Sequence, residues 1–224
     1  VDHTCLYTGA VEKLRALFLE GAFGEIFYLD SVRINLGLFQ QTASVIDDLG
    51  PHDVSIVNHL LGEAPLEVAA VGASHVKGDH SEVAFVTLRY PSGALAHLHL
   101  SWLSPLKVRR LMISGARRMA VWDDVEPSEK VRIYDKGVEF NPDPASNALR
   151  MVSYRTGDMI APAIDGREAL SKLAEDFYAA IVHGKRPRAD ATDGLTVVRV
   201  LDAANRSLKR GGAFEPLTSS LPVR

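Results

Sequence analysis

The stretch DDLGPHDVSIVNHLLGEAPLEVAAVGASHV, residues 47–76, changes period part-way along. Up to Gly62 the apolar residues Val54, Val57, Leu60 and Leu61 follow helical spacing, with Pro51 suited to a first turn and Gly62 to a stop. From Leu66 onward they alternate as in a strand. A helix is therefore expected at 48–61. Asp48 and His52 stand four residues apart, about one turn, so both side chains leave the same face. Asp is a favoured N-cap, and a first-turn histidine is often only a polar surface residue. If the two instead work together, Asp48 accepts a hydrogen bond from one ring nitrogen and leaves the other to take a proton near neutral pH.

Downstream, six strand-like segments follow one another: 66–76, 81–90, 93–103, 108–115, 118–123 and 130–135. Pro91-Ser92-Gly93 and Asp135-Lys136-Gly137 read as turns between strands, and such short connections favour antiparallel pairing. Upstream, residues 1–6 read as a short strand, 9–20 as an amphipathic helix and 25–36 as a strand rich in β-branched and aromatic residues. Residues 37–47 read as a loop and 141–166 as a long one. Two helices close the chain at 167–184 and 192–210, the first with Leu170, Leu173, Phe177 and Ile181 on one face. Strands grouped between helices imply an α+β fold: an open, mainly antiparallel mixed sheet with helices on one face. The other face would then be broadly apolar and exposed, which predicts association through the sheet into a dimer or tetramer.

The 224 residues suffice for one large domain, and 46% hydrophobic with 24% charged content is ordinary for a globular chain. A net charge of −3 argues against a nucleic-acid footprint, and no apolar run is long enough to span a membrane. The single cysteine, Cys5, has no internal partner, which fits a cytoplasmic location. The chain opens on Val1, and VDHTCLY reads as part of a longer protein.

No G-x-G-x-x-G and no phosphate-loop motif occurs, so any nucleotide must be held by another domain. His97 and His99 alternate on one strand face and could chelate a metal with His75, Asp79 or His80, although paired histidines on a sheet are more often only surface side chains; no metal site is expected. Lys107, Arg109, Arg110, Arg117 and Arg118 form a cationic cluster, simplest as a solvated face, one or two members of which suit a substrate anion. Arg33 and Asn35, at a strand end before the loop into the Asp48/His52 helix, are placed as substrate-binding residues usually are. Trp102 and Trp122 read as packing residues.

DDLGPHDVSIVNHLLGEAP, with GEIFYLDSVRINLG before it, GALAHLHLSWLSPLKVRRLMISG after it and the EAL…DFYAAIVHGKRPRADATDGLTVVRVLDAANRSL ending, resembles the glucose–fructose oxidoreductase/inositol dehydrogenase (Gfo/Idh/MocA) family over essentially the whole chain. VDHTCLY with RINLG resembles a subgroup near nucleotide-sugar 3-dehydrogenases, which tends to have asparagine and proline where this chain has Thr8 and Gly9. The resemblance implies a C-terminal substrate-binding and oligomerisation domain spanning 1–224, with 1–6 as the last strand of an N-terminal Rossmann domain that would bind NAD or NADP. It makes His52 the acid/base toward a sugar hydroxyl and Asp48 its orienting partner, completed by a lysine of an E-K-P motif not found here. Arg33, Asn35 and Lys107 are the expected substrate contacts, and no residue of this chain is expected to bind the cofactor. The fragment alone would be inactive. The competing reading is a non-catalytic binding or oligomerisation module; a metal-dependent hydrolase or lyase built on His52, His97 and His99 is a third.

Overall fold

The computed structural model describes residues 1–37, 40, 42–76, 78, 80–140 and 152–217. Its frame is a mixed sheet of nine strands among the described residues, in the order β8-β7-β6-β5-β1-β4-β3-β2-β9. The strands are β1 (Ile26–Leu36), β2 (Glu67–Ala73), β3 (Val83–Arg89), β4 (Leu95–Ser101), β5 (Leu103–Gly115), β6 (Met119–Asp123), β7 (Val131–Phe140), β8 (Val152–Ile160) and β9 (Glu215–Pro216). The helices are α1 (Gly9–Leu19), α2 (Val45–Leu61), α3 (Ala169–His183) and α4 (Ala191–Lys209).

All strand pairs are antiparallel except β1 with β4. That pair is parallel because α2, β2 and β3 intervene and return the chain in the same direction, the long crossover that parallel neighbours need. Alternation then sorts the faces. In β1, Leu29, Ser31 and Arg33 are buried beneath the helices, while Tyr28 is exposed on the other side. The core lies between the sheet and α1, α2 and α4. Val45, Ile46, Val54, Ile56, Val57 and Leu60 of α2 are at most 2% exposed. At about 1.5–3 kcal/mol per buried aliphatic side chain, they fix α2 on β1 and β4.

Several local expectations are corrected. Residues 1–6 form no strand: Thr4–Tyr7 is a single 3-10 turn, since no strand of the described chain lies alongside to pair with it. The Thr8 hydroxyl caps α1, and a Cβ on Gly9 would sit 2.0 Å from the Asp165 carbonyl oxygen, so both residues serve packing here. Asp135-Lys136-Gly137 is no turn; it lies within β7, where the register with β8 slips between Tyr134 and Lys136. A glycine is required there because a Cβ would meet the Ala116 carbonyl oxygen at 2.5 Å. Within the expected loop at 141–166, residues 152–160 are β8, whereas 141–151 lie outside the described residues. Finally, α3 does not cover the sheet. It packs on the opening 3-10 turn and leaves Leu170, Phe177 and Ile181 at 54%, 62% and 68% exposure.

Candidate active site

The helix that carries Asp48 and His52 starts earlier than expected. Ser44 is the cap, its hydroxyl accepting from the Asp47 N–H while the Asp47 carboxylate accepts from the Ser44 N–H, a complete capping box. This corrects two readings. Asp48 is not the cap, and Pro51 lies inside the helix, where its ring removes the bond to the Asp47 carbonyl. Asp48 is thereby left with a different role.

Its Oδ2 accepts a hydrogen bond from the Trp102 indole Nε1 at 3.0 Å. Trp102 is 2% exposed and sits at the β4–β5 junction, its N–H donating to the Glu82 carbonyl and its carbonyl accepting from Gly37. A Cβ on Gly37 would lie 2.9 Å from the Trp102 ring and 3.2 Å from the Asn35 amide nitrogen, so the close approach of these groups depends on glycine. Asn35, Trp102 and Asp48 are thus contiguous at the end of β1. Trp102 was expected only to pack; the signal available was its indole N–H, which a buried tryptophan usually places on an acceptor.

His52 does not hydrogen-bond Asp48. Its Nδ1 lies 3.5 Å from the Cys5 Sγ, and Asp48 acts on the ring only through space. Burial first, then the Arg33 and Arg109 guanidiniums, hold the His52 imidazole below the ordinary histidine range, against the opposing carboxylates of Asp53 and Asp48. Burial pushes the Cys5 thiol up, so it stays protonated at neutral pH. In the tautomer that carries its proton on Nδ1, facing the weakly accepting sulfur, Nε2 is the proton acceptor.

Arg33 is engaged more deeply than its strand-end position implied. Its Nε donates to Asp53 Oδ2 at 2.6 Å and its Nη2 to Oδ1 at 3.3 Å, while the Ser31 hydroxyl donates to Oδ1 at 2.8 Å. Arg33 and Asp53 are 7% and 4% exposed, so the pair ties β1 to α2 directly beneath His52. Arg33 thus shapes the field at His52 from a buried ion pair. Lys107 is exposed, on the part of β5 where the register with β1 slips between Ile34 and Leu36. Arg109, assigned from sequence to a solvated cluster, is 3.7 Å from Asp124, and its charge also reaches His52. The structure therefore brings His52, Asp48, Asn35 and Arg33 together, with Cys5, Trp102, Asp53 and Arg109 added.

His97 and His99 lie on the uncovered sheet face, not here. His97 Nδ1 is 3.0 Å from Asp30, and the Phe85 ring stacks on both imidazoles. No group of three His, Cys, Asp or Glu among the described residues could hold a metal ion; Asp79 lies outside them. No helix of the described residues is long and apolar enough to cross a membrane.

Residues 11–121 match the model of the GFO/IDH/MocA C-terminal domain. The chain belongs to the Gfo/Idh/MocA family. A UDP-N-acetylglucosamine 3-dehydrogenase of Acidithiobacillus ferrooxidans is 30% identical over 209 residues, covering 87% of this chain and 56% of that protein. An NADP(+)-dependent D-xylose 1-dehydrogenase of Haloferax volcanii is 26% identical over 188 residues, covering 83% and 51%. The crystal structure of an oxidoreductase domain protein from Kribbella flavida superposes with a TM-score of 0.77 at 18% identity, covering 98% of this chain and 65% of that one. The chain spans about half the length of the curated relatives it matches. The fold is that of Gfo/Idh/MocA oxidoreductases.

The N-termini of α1, α2 and α4 offer no open seat to a dinucleotide's pyrophosphate. Helix N-termini are its usual seat. Those of α2 and α4 are closed by capping-box carboxylates, and that of α1 by the Asp165 backbone.

Proposed function

We propose that this chain is the substrate-binding and proton-handling half of an NAD(P)-dependent oxidoreductase acting on a hydroxyl of a sugar, cyclitol or nucleotide sugar. The observation that carries this reading is His52: a half-buried imidazole kept neutral at physiological pH, with Nε2 free and an aspartate one turn away. NAD or NADP, held by a domain outside these residues, would accept the hydride. A hydroxyl whose carbon is losing hydride becomes acidic, and His52 takes its proton. Asp48, fixed by Trp102, stabilises the imidazolium that results and presents its second oxygen to a substrate hydroxyl. Asn35 and Lys107 are assigned to substrate contacts, as the family resemblance implies. The dehydrogenase and NADP(+) named for the two curated relatives support the same reading.

The exposed stripe of α3 supports a second body against it, as does the apolar groove that Leu173 and Phe177 form with Val1 and Tyr7. We assign that place to the cofactor domain. Without it the chain is expected to show no measurable dinucleotide binding; a calorimetric titration giving micromolar affinity for NAD or NADP would refute this.

The uncovered sheet face, with Tyr28, Val71 and Phe85 at 48%, 52% and 40% exposure, supports association of two copies through the sheet. Phe85→Asp should shift the species seen by light scattering to monomer, with the melting transition still cooperative. Unchanged assembly would rule this face out as the interface.

Asp48 carries a further expectation. Asp48→Asn keeps the acceptor for Trp102 but removes the charge that raises the His52 pKa, so the pH at which activity appears should move lower and turnover fall moderately. A role confined to structure predicts no shift in the pH profile.

A further inference from the structure

A cleft of about 270 Å³ opens between α1, the C-terminal half of α2 and the first turns of α4. Its α2 wall continues the face that carries His52: Ser55, His59 and Gly62 follow at helical spacing. His59 therefore lies about 10 Å along the axis from His52, too far to share its substrate hydroxyl.

Three features of the wall point to a ligand. His3 is 6% exposed, and its buried Nε2 has no hydrogen-bond partner among the described residues. Buried ring nitrogens are normally paired, and the His3 side chain lines the cleft. Arg15 donates Nη1 to the Leu60 carbonyl at 2.9 Å and forms no ion pair with any carboxylate among the described residues. Burial first, then the Arg15 and Arg188 charges, push His59 down to about 4, with no carboxylate opposing them. Of the two acids of the wall, Glu63 accepts from the Ser92 hydroxyl, and Asp193 accepts from the Asp190 N–H at 3.1 Å while its charge also reaches His3. Arg188 is itself paired with Glu12 at 2.9 Å, which leaves Arg15 as the uncompensated charge.

We propose that this cleft binds the oxyanion group, carboxylate or phosphate, of a small metabolite, with the Arg15 guanidinium as anchor and the His3 Nε2–H as a second donor. Charge-assisted bonds from a guanidinium are the strong ones for such a group, and imidazole N–H supplies direction. The site stands independently of the reaction assigned to His52.

The test is a titration of the intact protein with inorganic phosphate and, separately, with malonate, followed by the imidazole C–H signals in NMR. One or both anions should shift His59 and His3 saturably and leave His97, His99 and His183 unmoved. The apparent pKa of His59 should rise, because a bound anion favours the imidazolium. Saturation by phosphate alone assigns a phosphoryl group, and by malonate alone a carboxylate. Arg15→Gln should weaken binding at least tenfold. If that variant fails to fold, Arg15→Lys keeps the charge and should bind with intermediate affinity. The proposal is overturned if neither anion saturates at His59, if all eight histidines shift alike, or if the Arg15 variants bind as tightly as the wild type.

Discussion

On the proposed function, His52→Ala in the protein with its cofactor domain is expected to lower turnover by about 10²–10⁴-fold, the usual loss on removing a general acid/base. The fold should survive, since His52 is only half-buried and, among the described residues, its side chain's one hydrogen-bond contact is the weak one to Cys5. Comparing kcat with KM separates the roles. A residue that only binds substrate would raise KM and spare kcat, whereas a proton acceptor lowers kcat. Cys5→Ala should cost far less, because the sulfur only holds the ring's tautomer.

The largest effect on stability is expected at Asp53, a residue with no direct part in the chemistry. Asp53→Ala leaves the Arg33 guanidinium buried without its counter-charge and the Ser31 hydroxyl without its acceptor. Breaking one side of a buried pair costs about 3–5 kcal/mol, read as a lowered midpoint in urea unfolding. The double replacement Arg33→Met with Asp53→Leu removes both charges and should recover much of that loss. It should also alter the pH profile, since Arg33 is the charged group that most depresses His52. A double variant as unstable as Asp53→Ala would show that the pair's worth lies in something other than mutual neutralisation.

The fold was legible wherever one face of an element is buried. Alternation located β1 to β6 and the start of β7 because residues such as Ala96, Leu98 and Leu100 point into one core. The pattern misled where it rested on turn residues alone. Asp135-Lys136-Gly137 has turn chemistry, yet Gly137 is there to let the Ala116 carbonyl approach. The stripe of α3 was read correctly as apolar, but apolarity does not say which surface covers it, and among the described residues only Leu173 of it packs against the core. At the candidate site, the spacing singled out Asp48 and His52, but only the family resemblance gave the pair a role over that of a cap and a surface histidine. The Asp48–Trp102 bond and the Arg33–Asp53 pair were not legible, because each joins residues far apart in sequence that only the sheet register and the α2 docking bring together. The one-turn spacing also implied a direct Asp48–His52 bond. Sharing a helix face does not fix where a short carboxylate turns when an indole N–H lies within reach.

The central claim of the proposed function is that the neutral His52 imidazole receives the substrate proton, and the pH dependence of substrate oxidation by the protein with its cofactor domain tests it most directly. A base must be unprotonated, so kcat/KM should rise with pH through the His52 pKa, at a value below the ordinary 6.5. Arg109→Ala removes one of the positive charges that lower it, so that limb should move to higher pH. In His52→Gln the limb should vanish. A limb that persists unmoved in both variants would contradict the assignment.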